Sequence, residues 1–331
     1  MLSNMNKNIV IIGNGSGGHF YPSYIVANEL KKDFNVYYVV AKNRLDEKMI
    51  KKSDFKHLSL PYIGLKNNKI MFLKNQIINV KKIYNFLKNN NIDLVIGFGG
   101  GLSFSSLIAG KVYGCKLICH EQNAVLGRAN NLIKNIVTMY VSHKSLATKT
   151  LKFVGNPIVR DYSYKKVDIY DVIIVFGSQG SSTLNKIFGE FLKEYKEKYS
   201  ILFICKDLTE FKNQSIKVLP FVENLMDYFY HAKLVFTRGG ATTLAELSKT
   251  NAKTCIIPSP YVVNNHQLLN ALEYQKEYGA NIIEEKDLNI ETIEKEINNS
   301  LNNFLNYNER LKIEKNNYLN SFIKEIKNEL Q

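Results

Sequence analysis

The chain contains few cysteines, and no two of its four thiols form a C-x-x-C pair. Most of them lie within short apolar runs that resemble buried strands, as is typical of free thiols in a reducing compartment. Cys115, Cys119 and His120 are close in sequence, but the apolar residues between the two cysteines predict a strand, which would spread the three side chains along the chain. We therefore expect no metal site and no disulfide framework.

Long apolar runs are also lacking. The N-terminal residues have no apolar stretch like that of a signal peptide, and no run approaches the ~18 residues that a membrane-spanning helix needs. These absences predict a cytoplasmic protein that does not cross a membrane.

Acidic residues are scarce in the first half of the chain. Residues 1–160 contain 23 basic and 7 acidic side chains, whereas residues 161–331 contain 21 basic and 23 acidic ones. The excess of positive charge that gives the net charge of +14 therefore lies in the first half. A basic half can bind nucleic acid, anionic lipid or an acidic ligand. A composition rich in lysine and asparagine also raises the charge without any function, so charge alone does not choose the partner.

The order of apolar segments predicts an α/β protein with two domains. A strand at Asn8–Ile12, a helix at Ser23–Lys32 and a strand at Val36–Ala41 form a βαβ unit, which implies a parallel sheet. The alternation restarts at Val172–Phe176, after a polar stretch that follows Gly155-Asn156-Pro157. We place the domain boundary there, at about residue 160, because 331 residues are long for one core.

Glycine turns follow four of the predicted strands, at residues 13–18, 97–101, 177–180 and 239–240. Turns of this kind at the carboxyl ends of strands suggest one ligand cleft that two α/β units share. In the last turn, Thr243 and Glu246 match the S/T-x-x-E capping box that opens a helix. A strand, a glycine turn and a helix N-terminus favour the binding of phosphate. The alternative is that Glu246 only caps its helix.

The first glycine turn matches the dinucleotide fingerprint G-x-G-x-x-G, which would suit an NAD-dependent dehydrogenase. That fingerprint requires an acidic residue after the second strand, but Ala41-Lys42 occupies this place. His19 follows the glycines. The positive end of a helix favours a neutral imidazole, so His19 is either a general base or sugar contact, or a residue with only a local hydrogen bond.

Two further segments are candidates for function. His120-Glu121-Gln122-Asn123 follows a buried strand, where open α/β sheets bind ligands; Glu121 is a candidate base or orienting carboxylate, and the alternative is a polar loop that caps the next helix. The segment Lys66–Lys88 interleaves lysines with more apolar residues than one core stripe needs. It predicts a helix that packs on the sheet and, for the segment as a whole, a surplus apolar face that lies on an anionic membrane. The alternative for any one of these apolar residues is an ordinary core contact.

Taken in order, the motifs resemble the peptidoglycan N-acetylglucosaminyltransferases of glycosyltransferase family 28. The resemblance runs from about Ile9 to Ile283 and rests on seven motifs, which are Gly15-Ser16-Gly17-Gly18-His19-x-x-Pro22, Gly97-x-Gly99-Gly100, His120-Glu121-Gln122-Asn123-Ala124, Gly155-Asn156-Pro157-x-x-Arg160, Gly177-Ser178-Gln179-Gly180, Arg238-x-Gly240-Ala241-x-Thr243-x-x-Glu246 and His266-Gln267-x-x-Asn270-Ala271.

The resemblance implies a GT-B fold, in which two Rossmann-like parallel-sheet domains face a central cleft. It places the acceptor domain at residues 1–160 and the UDP-sugar domain at 161–306, with a C-terminal helix at about 307–331 that packs back on the first domain. It implies inverting transfer of N-acetylglucosamine from UDP-N-acetylglucosamine to the C4 hydroxyl of undecaprenyl-pyrophosphoryl-N-acetylmuramoyl-pentapeptide. It also implies no cofactor, no metal, no nucleic acid, and a peripheral place on the cytoplasmic face of the inner membrane.

The family motifs also assign roles to single residues. His19 is implied as the general base and Glu121 as the second choice. The implied substrate contacts are Ser16, Gly17 and Gly18 from the first domain; Arg160 and Ser178 at the nucleotide; Val222 at uracil; Thr242 and Thr243 at the pyrophosphate; Glu246 at the ribose; Asn123, Ala241 and Gln267 at the sugar; and Leu244 and Ala245 in the same stretch.

Three positions depart from the family pattern. Asn14 replaces a usual glycine, Gly101 a common tyrosine, and Phe104-Ser105 a Gly-Pro. The nearest rival function is another GT-B transferase that acts on a lipid such as diacylglycerol. A module of another class, which binds lipid or nucleic acid without catalysis, would need neither Glu246 nor Gln267.

Overall fold

The structure is a computed structural model that describes residues 7–14, 17–64, 69–158, 165, 167–177, 180–195, 198–206, 215–222, 224–250, 252–302 and 317–331. The chain divides into two compact units. The first contains Met1–Val159 together with Asn317–Gln331, and the second contains Arg160–Asn316. In the described ranges, no helix is both long and apolar enough to span a bilayer.

Each unit is built on one sheet. The strands of the first sheet are β1 (Asn8–Ile12), β2 (Asn35–Ala41), β3 (Lys56–Leu60), β4 (Leu94–Gly97), β5 (Lys116–Glu121), β6 (Thr138–Val141) and β7 (Leu151–Phe153). Those of the second are β8 (Tyr170–Val175), β9 (Ile201–Ile204), β10 (Ile216–Leu219), β11 (Ala232–Thr237), β12 (Lys253–Ile256) and β13 (Asn281–Ile282).

The helices connect successive strands. In the first unit these are α1 (Gly17–Leu30), α2 (Leu45–Ile50), α3 (Lys69–Asn89), α4 (Gly101–Tyr113) and α5 (Arg128–Ile133). In the second they are α6 (Ser182–Tyr195), α7 (Leu225–Tyr230), α8 (Ala241–Leu247), α9 (His266–Tyr278) and α10 (Ile290–Asn302). The last helix, α11 (Tyr318–Leu330), belongs to the first unit.

Both sheets have the same topology. The strand orders are β3-β2-β1-β4-β5-β6-β7 and β10-β9-β8-β11-β12-β13, and the described pairings are parallel. The order reverses direction between β1 and β4 in one sheet and between β8 and β11 in the other. A reversal of this kind opens a crevice at the carboxyl ends of the two strands, which is where such sheets bind ligands.

Burial on both faces explains the continuous apolar strands. Along β1, Ile9 and Ile11 point into one core and Val10 and Ile12 into the other, because successive side chains alternate across a sheet. The first of these cores also contains Phe322 of α11, which is fully buried. Helix α11 therefore packs on one face of the first sheet and forms part of that core.

Two sequence-based boundaries were wrong. Helix α1 begins at Gly17 rather than Ser23, and it contains Pro22 close to its start, where the missing N–H removes one early hydrogen bond. Strand β5 continues through His120 and Glu121, so these two residues end the strand instead of following it. Of the C-terminal helix predicted at about 307–331, the structure describes α11 (Tyr318–Leu330), and residues 303–316 lie outside the described ranges.

Candidate active site

The site of the first unit begins at His19, in the first turn of α1. Its Nδ1 lies 2.8 Å from Oε1 of Gln122, the residue that follows β5. Its ring packs on the turn after β4, where a Cβ added to Gly99 would lie 3.1 Å from Cε1 of His19. His19 therefore lies at the switch point between β1 and β4, and it is only partly buried.

His120 lies behind this histidine and is fully buried. Its Nδ1 is 2.9 Å from Nε2 of Gln122, and its Nε2 is 2.9 Å from the carbonyl oxygen of Gly155. Desolvation lowers the pKa of His120 to about 4. The ring is therefore neutral at physiological pH and acts as a fixed hydrogen-bonding group.

Glu121 is held by four donors. Its Oε1 accepts hydrogen bonds from the backbone N–H of Asn123 at 3.1 Å and from Nδ2 of the same residue at 2.9 Å. Its Oε2 accepts from the N–H of Gly127 and from Nδ2 of Asn130, both at 2.8 Å. A buried carboxylate that is engaged in this way orients its neighbours, and above all Asn123, and its lone pairs are not directed at a substrate.

Two of the positions that depart from the family pattern, Gly101 and Ser105, lie against side chains from other elements of the first unit. A Cβ added to Gly101 would lie 3.0 Å from the ring and the hydroxyl of Tyr62, so a tyrosine from another strand connection fills the space beside residue 101. The guanidinium of Arg44 lies over the same ring at 4.9 Å. Ser105 donates a hydrogen bond to Gln76 and thereby ties α4 to α3.

The site of the second unit is the turn between β11 and α8. The N-cap of α8 is Gly240, with no side-chain cap, and the helix begins at Ala241. Thr243 therefore lies inside the first turn, and the predicted capping box with Glu246 was wrong, because the extended backbone of Gly240 starts the helix three residues earlier. Thr242, Leu244 and Ala245 belong to the same seven-residue helix.

Glu246 has an unusual environment. Its side chain is partly exposed, but desolvation raises its pKa to about 7. Within the described part of the chain, no group donates a hydrogen bond or forms an ion pair with its carboxylate. A carboxylate with a raised pKa and no described protein partner is a candidate binding group.

Helix α9 docks directly on the glycine turn. Nδ2 of Asn270 donates to the carbonyl oxygen of Gly239 at 2.9 Å, and a Cβ added to Gly239 would lie 2.1 Å from the carbonyl oxygen of Gln267. Oε1 of Gln267 accepts from the N–H of Ser259 at 2.8 Å, which leaves its NH₂ group to donate to a ligand. The starts of α8 and α9 thus lie at the same end of β11.

Other predicted contacts are placed as follows. Gly17 and Gly18 open α1. Val222 follows β10 and is partly buried beside the exposed Phe221. Ser16, Arg160 and Ser178 lie outside the described residues.

Sequence reasoning did not assign a role to Gln122 or to Arg238. Gln122 stands within the His120–Asn123 motif, so its position was a signal. Arg238 begins the glycine turn, but its partners are distant in sequence, and only the fold brings them together.

Two family models match this chain. The glycosyltransferase family 28 N-terminal domain matches residues 9–141, and the C-terminal domain of that family matches residues 172–329. A relative from Thermosipho melanesiensis is 30% identical over an alignment of 339 residues, gaps included, and the alignment covers 97% of this chain and 98% of the relative. Its name is UDP-N-acetylglucosamine--N-acetylmuramyl-(pentapeptide) pyrophosphoryl-undecaprenol N-acetylglucosamine transferase.

Two further similarities agree with this match. A relative of the same name from Thermoanaerobacter sp. is 29% identical, over 88% of this chain and 90% of the relative. The crystal structure of MurG from Acinetobacter baumannii has a TM-score of 0.76 at 20% identity, and the match covers 97% of this chain and 99% of that one. The two parallel-sheet units define a glycosyltransferase of the GT-B class, which confirms the predicted fold class. The chain belongs to glycosyltransferase family 28.

Proposed function

We propose that this protein transfers N-acetylglucosamine from UDP-N-acetylglucosamine to the C4 hydroxyl of undecaprenyl-pyrophosphoryl-N-acetylmuramoyl-pentapeptide, with inversion at the sugar carbon. The observation that carries the proposal is the relationship along nearly the whole chain to a relative named for this transfer. No observation favours transfer to diacylglycerol.

The second unit supplies the groups for the donor. In this proposal the unpaired carboxylate of Glu246 accepts hydrogen bonds from the ribose hydroxyls, and the NH₂ group of Gln267 donates to the sugar. The first turn of α8, with Thr242 and Thr243, lies beside the pyrophosphate, where the positive end of the helix stabilises the charge that develops on departing UDP. Ala241 borders the sugar, and the backbone of Val222 meets uracil.

The first unit supplies the proton acceptor. As the hydroxyl oxygen of the acceptor forms a bond to the anomeric carbon, the bond from that carbon to UDP breaks, and the hydroxyl proton moves to the ring of His19. Gly17 and Gly18 begin the helix that carries this ring. Glu121 keeps its orienting role, because two of its four hydrogen bonds come from Asn123, the residue proposed to contact the sugar.

The proposal is tested by transfer of labelled N-acetylglucosamine to a short-chain analogue of the lipid-linked muramoyl pentapeptide. UDP-glucose as donor and diacylglycerol as acceptor are the controls. We expect product only with the muramoyl acceptor and UDP-N-acetylglucosamine. Binding of UDP without transfer to the muramoyl analogue, together with transfer to diacylglycerol, would replace the proposed acceptor by a glycolipid precursor.

We further propose that α3 rests on an anionic membrane surface at the cytoplasmic face, as a peripheral contact. The first half of α3 has inverted polarity: Asn75, Gln76 and Asn79 point inward, where they are buried. Large apolar side chains point outward, and their exposed fractions are 67% for Ile70, 53% for Met71, 60% for Leu73, 71% for Ile77 and 52% for Ile78.

Each buried polar side chain of the first half of α3 makes at least one hydrogen bond, although Nε2 of Gln76 and Oδ1 of Asn79 have no partner among the described residues. Nδ2 of Asn75 and of Asn79 each donates to the carbonyl oxygen of Pro61 at 3.1 Å. Exposed lysines stand beside the apolar face; they are Lys69, Lys74, Lys81 and Lys82. Apolar side chains flanked by lysines are the composition that binds an anionic lipid interface.

Vesicle sedimentation tests this surface. We expect the protein to bind vesicles that contain anionic lipid, and Ile77→Glu to weaken that binding severalfold. Ile169→Glu is the matched control, because Ile169 is 65% exposed but lies outside α3. Equal binding of both variants, or binding to zwitterionic vesicles alone, would contradict the proposal.

A further inference from the structure

A chain of hydrogen bonds runs from His19 into the core of the first unit. Nδ1 of His19 is 2.8 Å from Oε1 of Gln122, Nε2 of Gln122 is 2.9 Å from Nδ1 of His120, and Nε2 of His120 is 2.9 Å from the carbonyl oxygen of Gly155. Nε2 of Gln122 also donates to the carbonyl oxygen of His120 at 2.9 Å.

The direction of every hydrogen bond in this chain follows from the acceptor at its inner end, the carbonyl oxygen of Gly155. A backbone carbonyl can only accept, so Nε2 of His120 carries the proton, and Nδ1 of this neutral ring accepts. The amide NH₂ of Gln122 therefore faces two acceptors, Nδ1 and the carbonyl oxygen of His120. Its oxygen is left to face His19, so Nδ1 of His19 must donate, and Nε2 of His19 carries the lone pair.

We propose that Gln122 and His120 are positioning residues that fix His19 as the tautomer with a proton on Nδ1 and a free lone pair on Nε2. This inference rests on the proposed function, in which His19 accepts the proton of the acceptor hydroxyl. The proton then enters at Nε2, and Oε1 of Gln122 continues to accept from Nδ1 of the resulting imidazolium. The other tautomer would present a donor to the hydroxyl and could not remove its proton.

Helix α11 packs against the inner end of this chain of hydrogen bonds. The ring of Phe322 lies 4.9 Å from the ring of His120, and Phe98 lies 5.5 Å from it on the sheet side. Gly155 has a positive φ of 74°, and a Cβ there would lie 2.1 Å from the ring of Tyr318. Tyr318 and Phe322 thus fix both the carbonyl acceptor and the ring that donates to it.

The tautomer can be read without substrate by long-range ¹H–¹⁵N NMR of the full chain, with the His19 signals assigned by their loss in His19→Gln. We expect a protonated Nδ1 and an unprotonated Nε2. Gln122→Met should abolish this preference. Gln76→Met is the matched control, because Gln76 is a buried glutamine of the same unit that accepts a hydrogen bond from Ser105 rather than from a histidine.

Kinetics give the second readout. Gln122→Met should lower kcat at least about tenfold with little change in the KM for UDP-N-acetylglucosamine, since loss of a correctly protonated base affects the chemical step. Gln122→Glu keeps an acceptor for Nδ1 of His19 and should retain more activity than Gln122→Met.

A wild-type His19 protonated on Nε2, or equal kcat values for Gln122→Met and Gln76→Met, would overturn the inference. Failure of the proposed function is distinguishable, because it would appear as a wild-type protein that has the expected tautomer but transfers no sugar to the muramoyl acceptor.

Discussion

Nη1 of Arg238 lies 2.7 Å from Oε2 of Glu285, and both side chains are about nine-tenths buried. The contact is an ion pair rather than an aligned hydrogen bond. Arg238 gives its hydrogen bonds to the carbonyl oxygen of Ile257 at 3.1 Å and to Oγ of Ser181 at 2.8 Å. One guanidinium therefore connects the residues that follow β8, β11, β12 and β13, at the carboxyl ends of these parallel strands.

Arg238→Met should destabilise the second unit by about 3–5 kcal/mol, because it leaves the carboxylate of Glu285 buried without its partner. The double variant Arg238→Met/Glu285→Met removes both charges and should recover much of that loss. Urea unfolding of the two variants measures the effect. A double variant as unstable as the single one would mean that the hydrogen bonds to Ser181 and Ile257, and not the ion pair, are what Arg238 contributes.

Glu246→Gln should stabilise the protein at pH 8. The folded-state pKa is raised from 4.5 to about 7, so ionisation of this carboxylate reduces stability as the pH rises from about 4.5 through 7. The cost at pH 8 is at most about 3 kcal/mol, an upper limit because the side chain is partly exposed. The stabilisation by Glu246→Gln should nearly vanish at pH 4.5. Urea unfolding at the two pH values checks this, and a gain that is equal at both would contradict it.

Affinity for UDP should fall as the pH drops through 7. If only ionised Glu246 accepts both ribose hydroxyls, the binding-competent fraction falls about tenfold between pH 8 and pH 6. Calorimetric titration with UDP measures this. Phosphate groups also titrate in this range, so Glu246→Gln is the necessary control: it should bind weakly with a flatter profile. If the variant binds UDP as tightly as the wild type, Glu246 does not contact the ribose.

Gly239→Ala should disrupt the donor site through packing. The new Cβ would lie 2.1 Å from a backbone carbonyl oxygen of α9, which cannot rotate away as a side chain can, so α9 and Gln267 must move. We expect a loss of about 1–3 kcal/mol, as for other overpacked sites, and weaker binding of UDP-N-acetylglucosamine. Binding is measured by calorimetry and stability by urea unfolding.

Gly189→Ala is the control for this change. Among the described residues, nothing outside the backbone of α6 itself lies within 4 Å of a Cβ at Gly189, so alanine there should stabilise the helix by about 0.5–1 kcal/mol. If both variants keep full affinity for the donor, the close contact between the glycine turn and α9 does not position Gln267.

Strands and motif positions were predictable because both depend on local pattern. The strand at Asn8–Ile12 has the bounds that its apolar run predicts, since buried parallel strands are largely apolar on both faces. The glycine turns could be placed at strand ends for the same reason. The parallel topology follows from the βαβ order.

The sequence did not reveal which polar groups are already bonded. Glu121 and Glu246 are both acidic residues in recognisable motifs, but the first has four donors and the second has no described one. This difference depends on how the loop after β5 folds back on its own strand. The partners of Arg238 are likewise set by tertiary packing, because Ser181 and Glu285 lie far from it in sequence.

The place of α11 has a consequence for the order in which the protein forms on the ribosome. Residues 160–316 are contiguous and can fold as soon as they emerge. The first unit must wait for Phe322, which closes its core some 160 residues after the rest of that unit has been made. At 5–20 residues per second this interval lasts roughly 10–30 s. During that time the half of the chain that was made first exposes an unfinished apolar core, and the half made later completes its own core before the first half does.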